Sequence, residues 1–219
     1  MARPCSSTAE AIEAAAEDPD RVRSFAQRMQ LEADRLARMT KALIDLSRIQ
    51  SDDPLDHAER VPIGRVVEVA VDRNRVLADS KRMRVIPRVL DEADVLGSED
   101  LITMAVQNLV ANALQYSPEA THVGVGVRVT DGVVEISVTD KGVGIGHEDL
   151  ERVFERFYRV DPARSRVTGG TGLGLSIVKH VAGSHGGEVT VWSRPGQGST
   201  FTLRLPVAGA TATAPKEIA

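Results

Sequence analysis

The chain contains 219 residues, of which 42% are hydrophobic and 26% charged, as in an ordinary globular protein. Its formal net charge of −4 and the scattered placement of Lys and Arg argue against a nucleic-acid partner. The single cysteine, Cys5, excludes a disulfide framework or a cysteine-based metal site, and without a long apolar run or a signal peptide the sequence predicts a cytoplasmic protein with no membrane span.

The first predicted element is a long helix over residues 20–50. Apolar side chains recur there at alternating spacings of three and four from Phe25 to Leu46, and Glu32 occupies the one missing position. Such a heptad stripe predicts packing against another helix, against a second copy of the chain or against the chain's own domain. An acidic segment with a proline then predicts a linker over residues 53–60.

Beyond the linker, the pattern predicts helices and a mostly antiparallel sheet. A short strand and a helix precede the strand "RVIPRVL", and another helix begins at the capping residue Ser98 and ends near Tyr116. Two strands with alternating valines follow, and the turn Thr130-Asp131-Gly132 between them predicts a hairpin.

In the remaining part of this domain, the sequence predicts two more helices and a second hairpin. Apolar residues within 150–157 predict a short amphipathic helix, a further helix follows a glycine-rich stretch, and a turn at 195–198 joins the last two strands. The predicted fold class is α+β, a two-layer α/β sandwich over residues 61–207. Residues 208–219 have no apolar pattern and are predicted to form a disordered tail.

Three polar side chains share one face of the helix predicted over residues 98–116. Asn108, Asn112 and Tyr116 recur every four residues, while apolar residues cover the opposite side. Asparagine is a weak helix former, but its amide oxygen suits Mg²⁺, which takes few protein ligands in addition to substrate phosphates. The alternative interpretation is a pair of amides that simply face solvent.

A carboxylate at a predicted strand end is followed by glycines in "DKGVGIG". Asp140 could accept a hydrogen bond from an exocyclic amine, and Gly142 and Gly144 would let a flat ring lie against the main chain. Taken alone, this pattern also fits an ordinary turn.

The stretch "GGTGLGLSIV" places glycines immediately before an apolar helix. Backbone N–H groups near Gly170, Gly172 and Gly174 could converge on an anion, and the helix N-terminus adds partial positive charge. The spacing is neither that of a Walker A loop nor that of a Rossmann turn. The arginine-rich segment 158–168 before it predicts a mobile lid over a nucleotide or, alternatively, a flexible surface loop.

In this order, the segments "NLVANALQYSP", "DKGVGIG", "FERFYRV" and "GGTGLGLSIVKH" resemble the N box, first glycine box, F box and second glycine box of sensor histidine kinases. The resemblance covers roughly residues 20–207, and the last two segments look most like phosphate-sensing kinases of actinobacteria. It implies the Bergerat ATP-binding fold, which gyrase, Hsp90 and MutL share, with ATP and Mg²⁺ as cofactors.

Carried over by position, the resemblance implies a role for each motif residue. Asn112 would ligate Mg²⁺, and Asn108 would lie near the metal and the phosphates. Tyr116 would pack on the nucleotide, and Asp140 would bind the adenine amine. The implied ATP-binding set is Asn112, Tyr116, Asp140, Gly142, Gly144, Gly170, Thr171, Gly172, Leu173 and Gly174. The implied lid and its hinge contain Phe154, Phe157, Arg159, Arg164 and Arg166.

The phosphoacceptor histidine of the family has no counterpart in this sequence. It normally lies in a Ser-His-Glu context on the first helix of a hairpin, and none of the five histidines here has that context. The helix over residues 20–50 resembles the second helix of that hairpin, so residues 1–52 are interpreted as the remnant of a dimerisation hairpin in an N-terminally truncated chain. Half a hairpin argues against a homodimer formed through the family's four-helix bundle.

The resemblance therefore implies a kinase that transfers the γ-phosphoryl group of ATP to a histidine on another chain, such as a full-length histidine kinase. A response regulator would be the next acceptor. Two alternatives are a serine kinase of the anti-sigma type, which shares the fold, and a regulatory module that binds nucleotide without turnover.

Overall fold

A computed structural model describes residues 19–51, 58–160 and 171–209 of the chain. The chain divides into two compact units, residues 1–43 and 44–219. The long helix α1 spans Pro19–Ser51 and crosses the boundary between the units, which confirms the helix predicted over residues 20–50. Of its heptad side chains, Met29 and Leu36 are exposed, whereas those of Leu43 and Leu46 lie outside the described set.

The second unit contains the sheet and the helices that pack on it. Its helices are α2 (Ile63–Arg73), α3 (Arg75–Ser80), α4 (Glu99–Tyr116) and α5 (Gly174–Ser184). Its strands are β1 (Glu59–Pro62), β2 (Arg84–Val89), β3 (Asp94–Gly97), β4 (His122–Thr130), β5 (Val133–Thr139), β6 (Glu188–Arg194) and β7 (Gly198–Pro206). The main sheet has the order β2-β4-β5-β7-β6, with β2 and β4 parallel and its other pairs antiparallel, and β1 pairs with β3 separately.

The core lies between one face of the main sheet and the helices α2, α4 and α5. Alternate strand residues such as Ile136 and Leu203 are fully buried there, together with helix residues such as Val66, Leu109 and Val178. Period-two alternation in the strands and an apolar stripe on each helix bring these side chains to one layer. The predicted two-layer α/β sandwich is therefore confirmed.

The opposite face of the sheet carries a set of paired charges. Glu135 on β5 lies between Arg128 on β4 and Arg204 on β7, with guanidinium-to-carboxylate distances of 2.6 Å and 3.2 Å. Arg204 also contacts Glu188 on β6 at 2.8 Å. These ion pairs follow the strand register and neutralise one another.

Both predicted hairpin turns are present. Asp131 and Gly132 have φ values of 51° and 77°, the two positive values that a type I′ turn between β4 and β5 requires. Between β6 and β7, the Gln197 N–H donates to the Arg194 carbonyl at 3.0 Å, and Gly196 has a φ of 78°. A proline followed by a glycine in the middle of this turn matches type II geometry.

Two elements differ from the sequence-based expectation. The helix predicted over residues 150–157 is replaced by two single turns of 3₁₀ helix, at His147–Asp149 and Arg152–Phe154. Phe157 cannot continue a helix, because it has a φ of 63° and its N–H donates to the Gly172 carbonyl at 2.9 Å.

The single helix expected after β1 is two helices, because Asn74 separates α2 from α3. Its side-chain amide donates to the Ala70 carbonyl and, at 3.3 Å, to the Gln107 carbonyl of α4. The short strand β3 was not predicted, and β1 begins at Glu59, inside the predicted linker.

The C-terminal boundary also differs slightly from the predicted one. The first residue of the predicted tail, Ala208, donates its N–H to the Asp94 carbonyl at 2.7 Å. Residues 210–219 lie outside the described set. None of the described helices is both long enough and apolar enough to cross a membrane.

Polar contacts hold both ends of α4. At its start, the Ser98 hydroxyl accepts the N–H of Leu101, as expected for a capping residue. At its end, the Lys81 ammonium donates to the carbonyls of Leu114 and Gln115 at 2.6 Å and 2.9 Å. Burial lowers the pKa of Lys81, and nearby Glu119 opposes that change. This helix is therefore fixed at both termini.

Candidate functional site

The central element of the candidate site is the polar face of α4. Apolar residues on the other side of this helix, including Leu109 and Ala113, are buried in the core. Asn108 and Asn112 are half-buried, and Tyr116 is exposed. The three predicted residues therefore share a face that the core does not cover.

Asn108 is oriented by a hydrogen bond within its own helix. Its Nδ2 donates to the Met104 carbonyl at 2.9 Å, so its Oδ1 is left for other partners. That oxygen points towards α5, because a methyl group built on Gly174 would lie only 3.0 Å from it. The first residue of α5, Gly174, and Asn108 of α4 are thus in direct proximity.

The other end of this face meets Asp140 and Gly142. The Asp140 Oδ1 accepts N–H groups from Gly142 at 2.7 Å and from Ser199 at 3.2 Å. A methyl group on Gly142 would lie 2.8 Å from both this oxygen and the Tyr116 carbonyl oxygen. Only glycine fits at position 142, and the close approach brings Asp140 to the end of α4.

The loop after Asp140 rests on the turn between β6 and β7. The Ile145 N–H donates to the Ser193 hydroxyl at 2.9 Å, and the Gly196 N–H donates to the Val143 carbonyl at 2.7 Å. Gly144 has a φ of 72°, and a side chain there would collide with the Arg194 carbonyl. The two glycines predicted in this loop are thus both required by backbone contacts.

Asp140 is 6% exposed, and burial is the largest influence on its ionisation. Burial raises the pKa of its carboxyl group above the ordinary value, and the hydrogen bonds from Gly142 and Ser199 oppose that rise. Because both bonds end on Oδ1, Oδ2 is the oxygen left to accept a hydrogen from a ligand.

The second glycine segment lies at the start of α5, where Gly172 precedes the helix and Gly174 is its first residue. Gly172 has a φ of 73°, and a side chain on it would lie 2.9 Å from Phe157 Cα. Thr171 accepts the Leu173 N–H through its hydroxyl at 3.3 Å. The side chain of Leu173 is fully buried in the core, so Leu173 can meet a ligand only through its main chain. Gly170 lies outside the described residues.

The N-termini of α4 and α5 differ in capping. Ser98 caps α4 with its hydroxyl, whereas Leu173 precedes α5 and provides no side-chain cap. The first N–H groups of a helix have no partner within the helix and carry the positive end of its dipole. Beside the Asn108 oxygen, the first N–H groups of α5 therefore have no hydrogen-bond partner within the part of the chain that the structure describes.

The aromatic residues predicted at the lid hinge are separated by the structure. Phe154 packs edge-on against the core residue Phe201, with ring centroids 6.2 Å apart. Phe157 is exposed and is held through its backbone by Gly172. The Tyr158 hydroxyl donates a short hydrogen bond to Asp149, which raises the pKa of Tyr158.

Of the three arginines predicted in the lid, one lies within the described residues. Arg159 is half-buried, and its Nη2 is buried without a hydrogen-bond partner among the described residues. Such a nitrogen is costly unless an anion or another acceptor reaches it. Arg164 and Arg166 lie outside the described set.

Sequence reasoning missed the residues that hold the site in place. Ser199 donates to Asp140, Ser193 fixes the loop at Ile145, and a side chain at Gly198 would collide with the Asp140 carbonyl. In the sequence, the turn at 195–198 predicted a hairpin, but it did not indicate that this hairpin contacts Asp140 and the loop after it.

Comparison with known proteins gives one family. Residues 97–209 match the histidine kinase-, DNA gyrase B-, and HSP90-like ATPase family. The sensor-like histidine kinase SenX3 of Mycolicibacterium smegmatis is 51% identical over 198 residues, which cover 90% of this chain and 52% of that protein. The chain thus spans about half the length of this curated relative.

Two solved structures are also similar. The mycobacterial sensor histidine kinase MprB matches with a TM-score of 0.61 and 32% identity, over 68% of this chain and 97% of that one. Full-length ShkA in complex with AMPPNP matches with a TM-score of 0.70 and 26% identity, over 87% of this chain and 40% of that one.

Proposed function

The chain belongs to the histidine kinase-, DNA gyrase B-, and HSP90-like ATPase family, and we propose that it is the magnesium- and ATP-binding catalytic region of a sensor histidine kinase. In this role it transfers the γ-phosphoryl group of ATP to a histidine outside these 219 residues.

The proposal rests on one observation: each end of the polar face of α4 lies beside a different glycine segment. Near Tyr116 this face meets Asp140 and Gly142, and near Asn108 it meets Gly174. The eight residue steps from Asn108 to Tyr116 span about 12 Å of helix. An extended nucleotide can therefore lie along the helix with its base and its phosphates at opposite ends.

We call the first of these the base end, formed by Asp140, residues 142–146 and the turn at 194–198. There Asp140 has one oxygen free of backbone bonds, and an adenine amine can donate to it. The main chain at Gly142 and Gly144, which carries no side chains, supports a flat ring. An acceptor at this position favours adenine, whose amine is a donor, over a base with a carbonyl there.

We call the other the phosphate end, formed by Asn108, Asn112, Gly172 and Gly174. The uncapped start of α5 supplies N–H donors for phosphate oxygens. The buried Nη2 of Arg159, which has no partner in the described ranges, is a further donor that an anion would satisfy.

The side chains at the phosphate end fit magnesium better than a metal that binds thiolate or imidazole. Within the described ranges, no group of three or more His, Cys, Asp or Glu side chains could hold a metal. Asn108 presents its Oδ1, and the Asn112 amide has no hydrogen-bond partner in the described part of the chain. Two amide oxygens and the phosphates of a nucleotide are ligands typical of Mg²⁺, which would neutralise phosphate charge.

The chain's own contribution is positioning. The base end fixes the nucleoside, and the start of α5 orients the phosphates towards a nucleophile from outside. The acceptor is a histidine outside these 219 residues, because none of the five present has the context of a phosphoacceptor. A response regulator would then receive the phosphoryl group.

The test combines nucleotide binding with phosphate transfer in trans. The protein is incubated with γ-labelled ATP, Mg²⁺ and a full-length histidine kinase whose own ATP site is inactivated by mutation. We expect acid-labile label on the partner and none on this chain.

Other results would point elsewhere. Tight ATP binding without transfer would favour a regulatory module, and acid-stable label on a serine of an added antagonist protein would favour the anti-sigma type. Absence of ATP binding would remove the proposed function altogether.

A further inference from the structure

His185 is a buried histidine that the proposed mechanism does not use. It follows the end of α5 and is 4% exposed. Its Nε2 accepts the Ser98 backbone N–H at 3.1 Å, and its Nδ1 lies 2.8 Å from the Val181 carbonyl. Nδ1 therefore carries the hydrogen and Nε2 the lone pair, so the ring links α5 to the capping residue of α4.

The contact depends on close approach of the backbone. Gly97 precedes Ser98 and has a φ of 155°, and a side chain on Gly97 would collide with the His185 ring. The ring is thus seated directly against the main chain that begins α4. A histidine in this place leaves little room for the two helices to slide.

The helices α4 and α5 are antiparallel, and α5 contacts α4 at both of its ends. The start of α4 meets the end of α5 through Ser98 and His185, and further along, Asn108 meets the start of α5 at Gly174. The two contacts are about 15 Å apart along α4. A shift of one helix along the other at the first contact would therefore change the distance between Asn108 and Gly174.

A hydrogen bond restricts the axial position of α4 against α5 more than apolar packing does. Core residues such as Val106 and Val178 hold the helices together, but apolar burial is non-directional and tolerates small axial shifts. The bond from Ser98 to His185 is directional and is lost with a displacement of less than 1 Å.

We propose that His185 is a positioning residue that sets the axial alignment of α4 against α5 and thereby places Asn108 and Asn112 against the N–H groups at the start of α5. The inference rests on the proposed function, because a change in helix alignment would alter nucleotide binding at the phosphate end. The base end, which is anchored by the turn at 194–198, does not depend on His185.

The experiment compares His185→Phe, which keeps a ring but has no nitrogen, with His185→Gln, which can still accept the Ser98 N–H. A third variant, Val181→Ala, removes a buried side chain of α5 and lowers stability, but it keeps the backbone carbonyl that His185 contacts. For each variant, affinities are measured for ATP with Mg²⁺, ATP with a chelator, and adenosine. The exchange rate of the Ser98 amide hydrogen is followed in parallel without nucleotide.

For His185→Phe we expect the gain in ATP affinity on adding Mg²⁺ to fall about 3- to 10-fold, which corresponds to the loss of one hydrogen bond. Adenosine affinity should stay within about twofold, and the Ser98 amide should exchange faster, since its bond is lost. His185→Gln should restore most of the magnesium gain. Val181→Ala should melt earlier with that gain intact.

An unchanged magnesium gain in His185→Phe, an equal loss of adenosine affinity, or the same loss in Val181→Ala would overturn the inference. If the unmodified protein binds no ATP, the proposed function fails instead. In that case the exchange of the Ser98 amide still decides whether His185 fixes α4.

Discussion

The two ends of the candidate site are held in different ways. At the base end, Asp140, Val143 and Ile145 all bond to residues near the turn between β6 and β7. At the phosphate end, the Asn112 amide has no partner among the described residues, and the start of α5 has no side-chain cap. The base end is therefore preformed by the protein, whereas the phosphate end keeps its polar groups for a ligand.

The difference suits the ligands proposed for each end. A flat base needs a rigid surface and one well-placed acceptor, because its hydrogen-bonding pattern is fixed. Phosphates and a metal ion need several donors and oxygens that are not already satisfied. Substitutions at the two ends should accordingly have different effects, and four variants test this.

The largest effect is expected for Gly144→Ala at the base end. The new side chain would meet the Arg194 carbonyl and would also occupy a φ of 72°. Strain and collision together should lower the free energy of unfolding by about 2–5 kcal/mol and abolish adenosine binding. Denaturant unfolding and calorimetric titration measure the two quantities.

The matched control for Gly144→Ala is Gly196→Ala. Gly196 has a similar φ of 78° but open space around it, so only the conformational cost applies. If both variants lost equal stability, the close contact between Gly144 and Arg194 would not be what holds the loop.

The next effect is expected for Asp140→Asn. The substitution exchanges an acceptor for a donor opposite the adenine amine, and ATP affinity should fall about 10- to 100-fold. Adenosine should lose as much affinity as ATP does. If only ATP lost affinity, Asp140 would not belong to the base end.

Relative to the unmodified protein, the same variant should become more stable as the pH rises. Because burial raises the pKa of Asp140 above the unfolded value of about 3.9, its protonated form stabilises the fold below that pH. This contribution is lost as the pH rises through the folded pKa. Asp140→Asn has no buried carboxyl group to ionise. Its melting temperature relative to the unmodified protein should therefore rise between the unfolded and the folded pKa of Asp140.

A smaller, more selective effect is expected for Asn112→Ala at the phosphate end. ATP affinity in the presence of Mg²⁺ should fall about tenfold, while affinity in a chelator and for adenosine should not change. Stability should stay the same or increase, because alanine is the better helix former and the amide has no described partner to lose. An unchanged response to Mg²⁺ would remove Asn112 from the metal site.

The smallest effect is expected for Gly174→Ala. A methyl group there would lie 3.0 Å from the Asn108 Oδ1 and displace that amide by a few tenths of an ångström. We expect about a threefold loss of affinity for ATP with Mg²⁺, which is roughly 0.7 kcal/mol. In the same helix, Gly183→Ala meets no neighbour and should instead leave binding unchanged. Equal effects of the two substitutions would contradict the contact between Asn108 and α5.

Local patterns predicted much of the fold, because those elements are encoded by neighbours in sequence. The start of α4 follows from the Ser98 cap, and the first hairpin follows from Asp131 and Gly132 in its turn. The predicted helix over residues 150–157 was wrong for the opposite reason. Its final residue, Phe157, is held by the distant Gly172 in a conformation that helical periodicity cannot reveal.

By itself, the sequence determined which residue types lie on one face of α4, at the end of β5 and before α5, because helical and strand periodicities are local properties of the chain. Only the tertiary structure decided what those residues contact. The bond from Ser199 to Asp140 joins residues 59 positions apart, and the bond from Ser98 to His185 joins residues 87 positions apart. Such contacts depend on strand register and helix alignment, which the packing of the whole core sets and no short segment encodes.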